Sequence, residues 1–197
     1  MDRALEILGF LIGLLYLWWE YHADRRMWFA SIVMPAISMW IYFRKGIYAD
    51  FAMNIYYLAI AVYGYLAWTG VLKRRSSDDN SKQSLPITHI GGLQLAVCAL
   101  GLGVLWSGIY YVLAGFTDST VPLYDSFTTA LSFVAMWMLA RKYVEQWFAW
   151  VLVDMVCIGL YAYKGIYFYA VLYAVYTVIA FFGYAKWMRI MRAQHTN

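Results

Sequence analysis

Apolar residues fill seven stretches of this chain, roughly 4–21, 26–43, 50–72, 89–115, 124–141, 146–163 and 165–188, and charges gather in the short segments between them. An α-helix needs about 20 apolar residues to cross about 30 Å of hydrocarbon, and runs of this length are too long for strands. The pattern predicts an all-α integral membrane protein with seven transmembrane helices. The first run continues into Trp18-Trp19-Glu20-Tyr21 instead of a small-residue cleavage site, so it reads as a retained span and not as a leader.

Composition agrees, with 64% hydrophobic, 20% aromatic and 13% charged residues, which excludes an ordinary soluble domain. Sorting Lys and Arg by alternate loops puts Arg3, Arg44, Lys45 and Lys164 on one face, and the other eleven of the fifteen on the opposite face. By the positive-inside rule the N-terminus lies outside and the C-terminus in the cytoplasm. The basic loop KRRSSDDNSK and the basic tail are placed to meet anionic lipid headgroups, or they serve as a topology signal alone. Nothing in the charge pattern calls for nucleic acid. Cys98 and Cys157 lie inside spans, where a disulfide is not expected. His22, His89 and His195 have no second ligand at metal spacing. No phosphate-binding loop and no Ser/His/Asp or Cys/His constellation is present, so neither an enzyme nor a cofactor is expected. The lack of a lysine between Gly165 and Ala185 argues against a retinal Schiff base.

Laid on itself with a shift of 119, the chain shows fifteen identities between residues 18 and 68, among them Trp18 with Trp137, Trp28-Phe29-Ala30 with Trp147-Phe148-Ala149, and KGIY at 45–48 with KGIY at 164–167. This is an internal duplication of three helices. The expected organisation is 1–72 for the first repeat, 73–88 for a cytoplasmic loop, 89–115 for a linking helix and 116–197 for the second repeat with its basic tail. One helix between the copies makes the repeats parallel, a 3+1+3 arrangement suited to two bundles that rock about a pathway. KGIY is then an outer turn in which glycine permits a tight reversal.

The copies differ where asymmetric function can reside: Pro35 faces Asp154, and Asn54 faces Tyr173. Trp147, Trp150, Asp154, Cys157 and Tyr161 are spaced by 3, 4, 3 and 4 and share one helix face. A carboxylate near mid-membrane costs about 2.5–3.5 kcal/mol, so Asp154 should face a cavity or a partner. It is either a substrate contact or a hydrogen-bonded group that holds the bundle together. Trp18, Trp137, Trp147 and Trp150 are candidates to stack a flat heterocycle, with cation–π attraction if that ring is charged. Trp19, Trp40, Trp68 and Trp187 read as an interfacial belt. Asn54 and Tyr57, with Tyr173, Tyr176 and Thr177 at the corresponding level, could read ring nitrogens and hydroxyls or bond helix to helix. Glu6 and Asp125 could pair with Lys45 and Lys164.

The runs DSFTTALSFVAMWMLARKYVEQWFAWVLVDMVCIGLYAYKGIY and GIYADFAMNIYYLAIAVYGYLAW resemble the PnuC family of bacterial vitamin transporters, ARKYVEQWFAW being close to the family's RKxxEnWxxW pattern. The resemblance implies a fold like that of SWEET sugar transporters. It also implies facilitated diffusion of an unphosphorylated vitamin precursor, trapped inside by phosphorylation. Nicotinamide riboside is the family's default substrate, and thiamine, also a flat cation, suits the same slot. Trp147 and Trp150 take the family's WxxW role, Asp154 stands where members carry Asn or Asp, and Asn54 where Gln is common. Tyr161 completes the expected substrate-facing set. A sugar carrier and a vitamin-binding sensor or scaffold are the alternatives, and a homo-oligomer is compatible with either.

Overall fold

A computed structural model describes residues 3–45, 48–71, 85–117 and 119–194. Seven helices are found among them: α1 (Arg3–Tyr21), α2 (Met27–Lys45), α3 (Tyr48–Trp68), α4 (Gly92–Phe116), α5 (Pro122–Ala140), α6 (Gln146–Tyr163) and α7 (Tyr167–Gln194). Each overlies one predicted span. Among the described residues α4, α5, α6 and α7 are long and apolar enough to cross a membrane, and Met27–Trp40 is a shorter apolar helix. α4 is apolar all round, yet Cys98 is its one buried residue. Leu93, Leu100, Val104 and Tyr111 stand exposed, an arrangement that suits hydrocarbon and not water.

The chain divides into two compact units, Met1–Pro86 and Ile87–Asn197. In the first, α2 packs on both α1 and α3. In the second, α6 packs on both α5 and α7, and α4 lies against α5. Among the described residues α1 makes no comparable contact with α3, nor α5 with α7. The middle helix of each triplet therefore holds the other two.

The duplication is repeated in detail inside each unit. In the first, Trp28 is fully buried, packs edge-on to Trp68 at 5.5 Å and covers Gly64 so closely that a Cβ there would meet the indole. In the second, Trp147 packs edge-on to Trp187 at 5.7 Å and covers Gly183 in the same way. Trp68 and Trp187 are 2% and 0% exposed, so they do not form the expected interfacial belt. Each instead packs edge-on against the middle-helix indole, Trp28 or Trp147, that covers the glycine one turn earlier. Trp40, at 66% exposed, does lie on the outside.

The turns also repeat. α6 ends in a Schellman motif, with Ile166 N–H donating to Tyr161 O (2.9 Å), Gly165 N–H to Ala162 O (3.1 Å) and Gly165 at φ +72°. This is the reversal expected of the second KGIY; Gly46 and Ile47 of the first lie outside the described residues. α1 and α5 end in the same hydrogen-bond pattern without glycine, through Ala23 (φ 52°) and Lys142 (φ 56°), which are 119 positions apart. Lys142 is 7% exposed, and burial pushes its amine down from 10.5 to about 8. A lysine that holds its proton less tightly when folded makes unfolding take up protons, so its penalty is full below pH 8 and fades as pH rises toward 10.5. Lys142→Gly removes both the left-handed strain and the buried amine. It is expected to raise stability by about 1 kcal/mol at neutral pH, and by less as pH approaches 10. Melting curves of both proteins across that range, in detergent, check that the difference narrows.

The segment before α4 is fastened to the second unit. Thr88 N–H donates to Lys142 O and Val144 N–H to Thr88 O, a one-residue parallel bridge. Glu145 receives His89 Nδ1 at 2.6 Å on one oxygen and Ile90 N–H at 3.0 Å on the other. Ile87 N–H donates to Gln194 Oε1 at the end of α7. The Arg141–Glu145 stretch thus anchors residues 88–90, and the end of α7 holds residue 87. The basic loop at 73–82 lies outside the described residues. At the other end of the unit, Lys164 pairs with Asp125 at 3.5 Å, as expected, and Ser119 Oγ donates to Asp125 at 2.7 Å. The side chains of Glu6 and Lys45 lie outside the described residues.

Candidate substrate-binding site

α6 supplies one wall residue after another because its polar and aromatic positions fall within one arc. At about 100° per residue, Gln146, Cys157, Trp150, Tyr161, Asp154 and Trp147 span about 100° of the helix, in that angular order. One edge of the arc meets α5, where Val153 and Cys157 pack with Leu131. The other edge meets α7 at Gly183. Between the two lies the strip carrying Trp150, Tyr161 and Asp154.

Asp154 is 5% exposed and makes no ion pair among the described residues. It lies near enough to Cys157, Tyr173 and Tyr176 to act on them electrostatically. Trp150 and Tyr161 pack with Tyr173, Phe127 and Leu102 around the Leu131–Val153–Cys157 cluster. Tyr161 is flanked by Tyr173 (centroids 5.4 Å, planes 11° apart) and Tyr169 (5.3 Å, 24°). Tyr173 also meets the edge of Tyr176 at 5.9 Å. The result is a buried carboxylate beside one end of a stack of aromatic planes. Such a site can hold a flat cationic ring by stacking and by charge at once.

From the expected set, Trp150 and Tyr161 meet in one cluster with Tyr173, and Asp154 and Tyr176 adjoin that same tyrosine. Thr177, on the same helix, spends its hydroxyl on Tyr173 O at 3.0 Å. Trp147 shares the arc but turns to α7 and is 2% exposed against Gly183 and Trp187. Trp137 joins a different cluster, with Cys98, Met138 and Tyr143. In the first unit, Trp18 is 62% exposed, with its ring 4.4 Å from His22. Asn54 and Tyr57 are half-buried on α3, with Tyr57 5.9 Å from Tyr56.

Two residues escaped the sequence reading. Tyr169 completes the ring stack with Tyr173, which the sequence places beside Tyr176 and Thr177 as the counterpart of Asn54. Glu20 looks like a span-end residue in sequence, yet it is 2% exposed and lies beside Tyr16, which is also within reach of Ser31. Burial of Glu20 follows from its place on the α1 face that meets α2, which the apolar pattern around it does not mark.

Residues 3–189 match the family described as nicotinamide mononucleotide transporter. The chain belongs to that family. A nicotinamide riboside transporter, PnuC, of Escherichia coli (strain K12) is 26% identical over 211 residues, covering 95% of this chain and 86% of its own. The riboflavin/roseoflavin transporter RibM of Streptomyces davaonensis is 27% identical over 130 residues, covering 66% of this chain and 59% of its own. A crystal structure of the vitamin B3 transporter PnuC superposes with a TM-score of 0.69 at 18% identity, covering 98% of this chain and 83% of that one. The last likeness establishes the fold. This member of the nicotinamide mononucleotide transporter family is therefore a helical membrane protein with a transporter fold, and its ring-lined carboxylate belongs to the repeat that carries the ARKYVEQWFAW motif.

Proposed function

We propose that this chain carries an unphosphorylated vitamin precursor across the bacterial inner membrane by facilitated diffusion, with nicotinamide riboside as first substrate and thiamine as second. Phosphorylation in the cytoplasm would trap the solute. The observation that carries this reading is Asp154, buried without a basic partner among the described residues, beside Tyr173 and Tyr176 and on the helix strip that also carries Trp150 and Tyr161. A flat ring cation supplies the missing countercharge and the stacking partner together. Riboflavin, which the relative RibM is named for, is flat but uncharged, and glucose has neither an aromatic plane nor a charge; both are poorer matches to a carboxylate.

The parallel 3+1+3 reading is supported by the two triplets, each held by its middle helix and each locked by the same Trp–Gly–Trp packing. The distribution of Lys and Arg supports an external N-terminus and a cytoplasmic C-terminus.

Binding of nicotinamide riboside, thiamine, riboflavin and glucose to purified protein tests the substrate. Tightest binding of glucose or riboflavin would overturn the assignment. Counterflow in proteoliposomes separates a carrier from a sensor, which would bind without exchange. Uptake is expected to equilibrate and stop, unaffected by an imposed pH or sodium gradient. Accumulation above equilibrium under either gradient would reject facilitated diffusion, and Glu20 would then be the first acidic group to substitute.

A further inference from the structure

Gln146 begins α6 and is 0% exposed, yet neither its Oε1 nor its Nε2 has a hydrogen-bond partner among the described residues. The indole N–H of Trp150, one turn on, is buried and unpartnered as well. Buried polar groups are almost always paired, and each exception calls for a cause. The fold itself does not ask for an amide here. The position corresponding to Gln146 in the first repeat is Met27, also 0% exposed, so a thioether of similar length fills that place in an otherwise parallel turn. The amide carries a desolvation penalty that its repeat mate avoids.

Gln146, Trp150 and Asp154 follow one another at intervals of four residues, about 6 Å apart along the helix axis and within an arc of about 80°. A ligand whose cationic ring sits at Trp150 and Asp154 therefore extends toward Gln146 if it is long enough. A primary amide offers a donor and an acceptor side by side, which matches two adjacent hydroxyls, each of them donor and acceptor. We infer that Gln146, with the Trp150 indole N–H, forms a polar subsite for the sugar of a ring-cation riboside and sets selectivity for its vicinal diol. This rests on the reading of Asp154 and Trp150 as the ring site.

The test is a cycle between protein and ligand, using the full chain in detergent. Gln146→Met installs the side chain of the first repeat. The ligands are nicotinamide riboside and its dideoxyriboside analogue, which lacks the vicinal diol. The wild-type chain is expected to prefer the riboside by about ten-fold, and Q146M to lose that preference. The ligand-free melting temperature of Q146M should be unchanged or higher, since the buried amide is gone. A preference retained in Q146M overturns the subsite and leaves the amide to an internal water or to packing. Equal losses for both ligands also overturn it, by showing an indirect effect. Asp154→Asn separates this failure from failure of the ring site: if it weakens both ligands while Q146M changes nothing, the inference alone falls. If the wild-type chain binds neither ligand, the ring-site reading falls with it.

Discussion

Trp147→Ala is expected to destabilise the folded chain by about 3–5 kcal/mol, the usual cost of emptying a buried tryptophan site. Its indole is 2% exposed and fills the space above Gly183 beside Trp187. The reverse perturbation should also hurt. A Cβ at Gly183 would stand 2.5 Å from Trp147 Cη2, so Gly183→Ala should cost about 1–3 kcal/mol, more than the helix propensity it gains. The two changes share one contact, and in combination they should cost less than their sum. Melting and monodispersity in detergent of the single and double variants give the coupling. Additive effects would show that Trp147 is not held by this packing and would return it to the candidate ligand contacts.

Trp150→Ala and Asp154→Asn should have the opposite signature, weakening binding of the best vitamin ligand by about 5- to 150-fold while leaving the fold intact, since a stacking ring or a charge-assisted contact is worth about 1–3 kcal/mol. Asp154→Asn keeps the side-chain volume and removes one charge, so it should penalise a cationic ring far more than riboflavin. Trp40→Ala, at an exposed position, is the control and should leave affinity unchanged. Calorimetric titration of the three variants decides the matter. Unchanged affinity in both site variants would make Asp154 and Trp150 structural residues and move the search to Asn54 and Tyr57 in the first unit.

The contrast between Trp147 and Trp150 marks where sequence reasoning stops. Both lie on one helix face, and spacing alone groups them. They differ by about 60° of helix azimuth, and a neighbouring helix decides whether that turns a ring into a glycine notch or toward a carboxylate. Similarly, Gly165 announces its tight turn because φ +72° suits glycine, while Ala23 and Lys142 hold the same conformation unannounced, forced by the Schellman bonds around them. Glu20 reads as a surface group from its place between apolar run and loop, and is buried because α2 covers that side of α1.

By itself the sequence determined the seven helices found among the described residues, because in hydrocarbon the backbone must satisfy its own hydrogen bonds and an apolar run of set length can do little else. It determined the duplication, since identities at a fixed shift survive without any knowledge of packing, and it marked Asp154, because an ionisable group at that depth is costly anywhere. Only the tertiary structure decided which aromatic rings pack and which surround the carboxylate. It alone gathered Tyr169 and Tyr173 onto Tyr161, and it alone fastened residues 88–90 to the α5–α6 turn. Those outcomes depend on the angular position of each helix against its neighbours, which no periodicity within a single helix records.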